Sequence, residues 1–73
     1  MKPIAKDRGS GDDGCPAVYI EGTAFVVQGP ELDAAGLDNL QNVLPGETAV
    51  RIGIDVVREA LARYDAGLIP AGR

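Results

Sequence analysis

Between Ala17 and Gln28 the chain carries two short runs in which apolar side chains fall on alternate positions. Val18 and Ile20 alternate with Ala17, Tyr19 and Glu21, and Phe25 and Val27 alternate with Ala24, Val26 and Gln28. Gly22-Thr23 separates the runs, and a glycine at the first central position suits the positive φ of a type II′ turn. Such a turn sets Glu21 opposite Ala24, Ile20 opposite Phe25, Tyr19 opposite Val26 and Val18 opposite Val27. In that register the two alternations agree, because Val18, Ile20, Phe25 and Val27 share one face. A β-hairpin is the expectation. Gly29-Pro30 closes it, since proline lacks the N–H that a ladder needs.

Downstream the spacing changes from two to three and four. Asp33 is placed to cap a helix, with Leu32 before it and Leu37 four positions later as a hydrophobic staple. Leu37, Leu40 and Leu44 continue at helical spacing, while Gly36, Asp38 and two asparagines keep this helix short. Leu44 to Glu47 reads as a turn. Thr48, Val50 and Ile52 then alternate with Ala49 and Arg51, which predicts a third strand. The segment from Ile54 to Ala66 predicts an amphipathic helix with an apolar stripe of Ile54, Val57, Leu61 and Tyr64, and Ala60 beside it. Asp55 favours its N-terminal end, Glu59 and Arg63 form an i,i+4 pair on the solvent side, and Gly67 stops it.

The predicted class is therefore α+β, in the order β-β-α-β-α. A small antiparallel sheet, made of the hairpin plus a third strand, carries two helices on one face. Residues 1–14 alternate charge with Gly, Ser and Pro and read as a flexible tail, residues 15–67 as the domain, and residues 68–73 as a second tail. Within that second tail Leu68 and Ile69 have the apolarity to fold back on the body, and Pro70 forbids further helix.

Composition narrows the classes of function. Seventy-three residues support one small domain with a marginal core. One cysteine and no histidine leave no intramolecular disulfide and no ordinary zinc site, so a partner or self-association is the remaining source of stability. Between Cys15 and Gly67 there are eight acidic and three basic side chains, a net charge of −5. That acidic body repels phosphate backbones and suits a basic protein partner instead of nucleic acid. No run approaches the ~20 apolar residues of a membrane span, and the first 14 residues lack an apolar core of the kind a signal peptide has. No membrane partner is expected, and a cytoplasmic location is the default.

Candidate chemistry is sparse. Cys15 has Asp12 and Asp13 nearby and no histidine anywhere to act as its base. Acids raise a thiol pKa, so Cys15 reads as a small residue anchoring a strand start and not as a nucleophile. The stretch from Gly9 to Gly14 lacks both the alternating oxygen ligands of a calcium loop and the Lys-Ser/Thr of a phosphate loop. Glu21, Glu31, Glu47 and Asp55 show no spacing that marks an acid–base pair. No catalytic residue, metal or cofactor is expected. The informative feature is the other face of the hairpin, where Tyr19 opposes Val26 and Ala17, Ala24, Glu21 and Gln28 flank them. Left uncovered by the helices, that face makes Tyr19, Val26, Ala17, Ala24 and Gln28 the candidate partner-binding residues.

The stretches CPAVY at 15–19, VVQG at 26–29 and LPGETAVRI at 44–52, followed by a closing helix, resemble a group of short actinobacterial proteins of uncharacterised function. Those chains carry Cys-Pro-x-x-Tyr, a Val-Val-Gln-Gly strand end and a Pro-x-Gly-Glu-x-x-Val segment, and the likeness spans roughly Cys15 to Leu61. Such proteins are typically encoded near helix-turn-helix regulators. The resemblance implies a regulatory accessory protein that binds and restrains a regulator of that kind. The hairpin turn here is shorter, and Pro30 stands where a large aromatic is expected. The expected function is a non-enzymatic interaction module, with self-association open to it. The alternative is a small-molecule sensing domain with a pocket between sheet and helices.

Overall fold

Strands β2 (Ala17–Glu21) and β3 (Ala24–Gln28) pair antiparallel in the register the alternation predicts, from Glu21 opposite Ala24 to Ala17 opposite Gln28. Gly22 takes φ 60°, whereas Thr23 does not enter the positive-φ region, as a type II′ turn demands. This arrangement comes from a computed structural model that describes residues 1–7 and 16–70. Cys15 and the Gly9–Gly14 stretch lie outside the described residues.

The third strand comes from the N-terminus. β1 (Ala5–Lys6) lies antiparallel beside β2, giving the sheet order β1-β2-β3. The Ile4 N–H donates to the Val18 carbonyl at 2.8 Å, while Ala5 is the cross-strand partner of Val18. Two successive residues thus address one, the count of a β-bulge, and both Ile4 and Ala5 are only 1% exposed. The Asp7 N–H continues the pairing to the Pro16 carbonyl at 2.8 Å. The expectation that residues 1–14 stand outside the domain is therefore corrected, since residues 4–7 belong to the sheet and Ile4 and Ala5 to its core.

The expected strand at Thr48–Ile52 shrinks to an isolated antiparallel bridge between Glu31 and Val50. The Leu32 N–H donates to the Ala49 carbonyl at 3.0 Å, and the Arg51 N–H to the Pro30 carbonyl at 2.9 Å. Proline has no N–H with which to return the second bond, so the ladder does not propagate. The Thr48 hydroxyl fastens the bridge further by donating to Glu31 Oε2 at 2.8 Å. The observed order is β-β-β-α-α, still an α+β fold with a three-stranded antiparallel sheet and two helices.

Of the two described helices, one covers the sheet. In α1 (Ala34–Asp38) Asp33 caps as expected, its Oδ1 accepting from the Gly36 N–H at 2.8 Å. The helix ends at Asn39, Asn42 turns left-handed at φ 58°, and Leu40, Val43 and Leu44 are exposed. This helix contacts neither the sheet nor the second helix, which corrects the expectation of two helices on one face. α2 (Ile54–Asp65) packs against β1 and β2. Its end is a Schellman motif: the Leu68 N–H reaches the Arg63 carbonyl, the Gly67 N–H reaches that of Tyr64, and Gly67 sits at φ 76°.

The face α2 buries is not the one its large side chains mark. Val56 and Ala60 are 4% and 0% exposed, while Ile54, Leu61 and Tyr64 are all exposed. The buried face is rotated roughly 100° from the expected stripe, about one residue's worth of helical turn. Ala60, with no side chain beyond Cβ, lets the helix axis approach the bulge at Ile4 and Val18. The core is then Ile4, Ala5, Val18, Val56 and Ala60, with Ile20, Phe25 and Ile52 packed against it. Phe25 also meets Tyr64 edge-to-face, ring centroids 5.9 Å apart, which closes the core toward the hairpin turn. Leu68 and Ile69 do not fold back and remain exposed.

Candidate functional site

Because side chains alternate along a strand, burying Val18 and Ile20 against α2 forces Tyr19 and Glu21 to the other side of β2. The same parity sends Ala24, Val26 and Gln28 of β3 to that side. No described element lies over this outer face. Tyr19 and Val26 are direct cross-strand partners on it, and the Tyr19 hydroxyl donates to Gln28 Oε1 at 2.6 Å. That bond lays the phenol ring along β3 toward Gln28, so the ring and the Val26 side chain present one apolar surface with polar ends. Val26 is 38% exposed, Ala24, Gln28 and Glu21 are exposed, and Tyr19 is half-buried.

Ala17 departs from the expectation. It shares the parity of Tyr19 yet is 2% exposed, so it cannot touch a partner and is removed from the candidate set. Its position is at the centre of the sheet, between Lys6 of β1 and Gln28 of β3. The remaining residues expected to bind, Tyr19, Val26, Ala24 and Gln28, are brought together.

Two clefts bear on the alternative reading. Between the hairpin turn and α2 lies a space of about 190 Å³ lined by Ile20, Phe25, Leu61 and Tyr64 with the turn residues. This is the place expected for a ligand pocket between sheet and helix. It is smaller than the ~300 Å³ at which ligand sites begin, and no charged side chain lines it. A broader, open cleft of about 630 Å³ lies at the opposite end of the hairpin, where Asp7, Gln28 and Arg51 converge with Pro16, Gly29 and Gly53. Nothing in the hydrophobic pattern joins these residues: Asp7 sits in the segment read as a tail, and Arg51 in a predicted strand. Gly29 makes the cleft's floor tight, because a Cβ there would stand 2.7 Å from the Arg51 carbonyl oxygen.

Among the described residues no group of three or more His, Cys, Asp or Glu side chains is placed to hold a metal ion. No described helix is long and apolar enough to cross a membrane. No family model, curated protein or solved structure matches the chain.

Proposed function

We propose that this protein is a non-enzymatic regulatory module that binds a basic protein partner, a helix-turn-helix regulator being the partner class, through the outer face of the hairpin. The observation that carries this reading is the Tyr19–Val26 pair, over which no described element lies, held in place by the Tyr19–Gln28 hydrogen bond. A tyrosine with its hydroxyl already satisfied and its ring half-exposed is the side chain that interfaces use as an anchor. Acidic side chains, with Glu21 on that same face, favour a positively charged partner and fast encounter with it. The resemblance of residues 15–61 to short actinobacterial proteins encoded beside such regulators supports the same partner class. The test is a titration of the protein against a basic helix-turn-helix regulator from the same host. Tyr19→Ala combined with Val26→Ser is expected to weaken binding by about tenfold or more while the far-UV spectrum stays folded; unchanged affinity overturns the assignment.

A second reading, a small-molecule binding domain, draws on the cleft where Asp7, Gln28 and Arg51 converge. Its volume of about 630 Å³ falls inside the range of ligand sites, and it offers both charge signs. A thermal-shift screen of small carboxylates and phosphates separates the two readings. A ligand that raises Tm for the parent and not for Arg51→Ala supports the second.

A further inference from the structure

The open edge of β3 has an unusual character for the border of a sheet. β3 is the last strand in the order β1-β2-β3, and its residues Ala24–Gln28 include no charge and no proline. Edge strands of monomeric proteins commonly carry one or the other to prevent pairing with another chain. The Val18 carbonyl faces β1, where it accepts from the Ile4 N–H. Val18 and its partner Val27 are therefore a non-hydrogen-bonded pair, and the backbone groups of Val27 point away from β2. The alternation gives Phe25 the same orientation. Both N–H and both C=O groups of Phe25 and Val27 face the open edge without a partner among the described residues. Past Gly29 the chain bonds the 49–51 segment through Pro30 and Leu32, which leaves this edge untouched.

We propose that β3 pairs antiparallel with β3 of a second copy, about a two-fold axis at Val26, to make a continuous six-stranded sheet. In that register Phe25 of one copy and Val27 of the other exchange both hydrogen bonds, and by symmetry all the outward groups are satisfied. The side chains agree with the backbone. Phe25 comes opposite Val27 of the second copy, which covers Val27 where it stands 39% exposed beyond the reach of α2. Val26 meets its own symmetry mate on the outer face, and Ala24 comes opposite Gln28, so no like charges oppose each other. Shifting the axis to Val27 instead sets Phe25 against Gly29 and Val26 against Gln28, which forfeits the Phe25–Val27 and Val26–Val26 contacts. One consequence rests on the partner reading above, although the dimer does not: the two Tyr19–Val26 pairs join into a single two-fold row, suited to a partner that is itself a symmetric dimer.

Two measurements test the dimer directly, without any partner. Sedimentation equilibrium of the parent is expected to show a species of twice 7.6 kDa. Val27→Lys, which puts a charge on a half-exposed edge position, is expected to weaken that association by about tenfold or more without unfolding the chain. In a Cys15→Ser background, Val26→Cys is expected to give a disulfide-linked dimer on mild oxidation. The two Cα atoms of a non-hydrogen-bonded pair stand ~4.5 Å apart, within disulfide reach. Val27→Cys in the same background is expected to cross-link far more slowly. A monomer at all concentrations, or a dimer unaffected by Val27→Lys, overturns the proposal; faster cross-linking at residue 27 than at 26 overturns the register. A parent that forms the dimer but binds no basic regulator counts against the proposed function alone.

Discussion

The guanidinium of Arg63 donates a hydrogen bond from Nη1 to the carbonyl oxygen of Ile4 at 2.8 Å, joining the last turn of α2 to the residue that opens the sheet. The same side chain lies 3.6 Å from Glu59 one turn earlier. The spacing of Glu59 and Arg63 reads as a surface pair, yet the contact to Ile4 is partly buried and bridges 59 residues of sequence. A charge-assisted bond to a backbone carbonyl contributes more than an exposed ion pair, because removing the donor leaves the acceptor unsatisfied. Arg63→Ala is expected to cost about 1–2 kcal/mol, allowing for the side chain's partial exposure. In a domain this small that lowers Tm on the order of 5–10 °C. Amide exchange supplies the local check: the Ile4 and Asp7 N–H groups should lose protection before those of β3 do. Uniform loss across the sheet would mean that Arg63 does not act on β1.

The role of β1 itself is tested by shortening Ile4. It is among the largest fully buried side chains, and its loss leaves a void between Val18 and α2. Ile4→Ala is expected to cost about 2–4 kcal/mol, a large share of the stability of a domain of this length. Removing residues 1–6 altogether is expected to leave a chain with no cooperative thermal transition. A truncated chain that melts like the parent would place β1 outside the fold.

Why β1 escaped the sequence pattern, while the hairpin did not, has a physical answer. The hairpin is local: ten strand residues across a two-residue turn, with two alternations that had to agree in phase. β1 is two residues, set among Lys2, Pro3, Ile4 and Asp7, and its partner lies across the segment 8–15. Nothing in its own neighbourhood alternates, because the bulge at Ile4 and Ala5 turns two adjacent residues inward and breaks the period of two. The outer face followed from the hairpin register, so Tyr19, Val26, Ala24 and Gln28 were legible. Ala17 was not, since its burial depends on the strand added at β2's other edge.

The rotation of α2 carries its own prediction. Periodicity weighted by side-chain size selects Ile54, Leu61 and Tyr64, but close approach to the sheet selects Val56 and Ala60. Ile54, 73% exposed, is expected to accept Gln within about 0.5 kcal/mol of the parent. Ala60→Leu should instead overfill the contact with Ile4 and Val18 and cost about 1–3 kcal/mol. Urea melts of the two variants give the answer, since equal midpoints, or a larger loss at Ile54, would restore the face that size alone marks.

Two glycines near the hairpin should fail for different reasons, which makes them a paired test of the backbone. Gly22 sits at φ 60°, and a Cβ added there would have nothing within 4 Å, so its requirement is purely conformational. Gly22→Ala is expected to cost about 1–2 kcal/mol, the penalty of placing an L side chain in the left-handed region. Gly29 has no such φ; there a Cβ would meet the Arg51 carbonyl oxygen at 2.7 Å, and the bridge between residues 30–32 and 49–51 holds that oxygen in place. Gly29→Ala must push the two segments apart, and the Arg51 N–H bond to Pro30 is the contact that opens first. The expected signature is faster exchange of the Arg51 amide in Gly29→Ala and an unchanged rate in Gly22→Ala, at comparable losses of overall stability. If Gly22→Ala frees the Arg51 amide equally, the two substitutions act through global unfolding and the close approach at Gly29 is not what holds the segment.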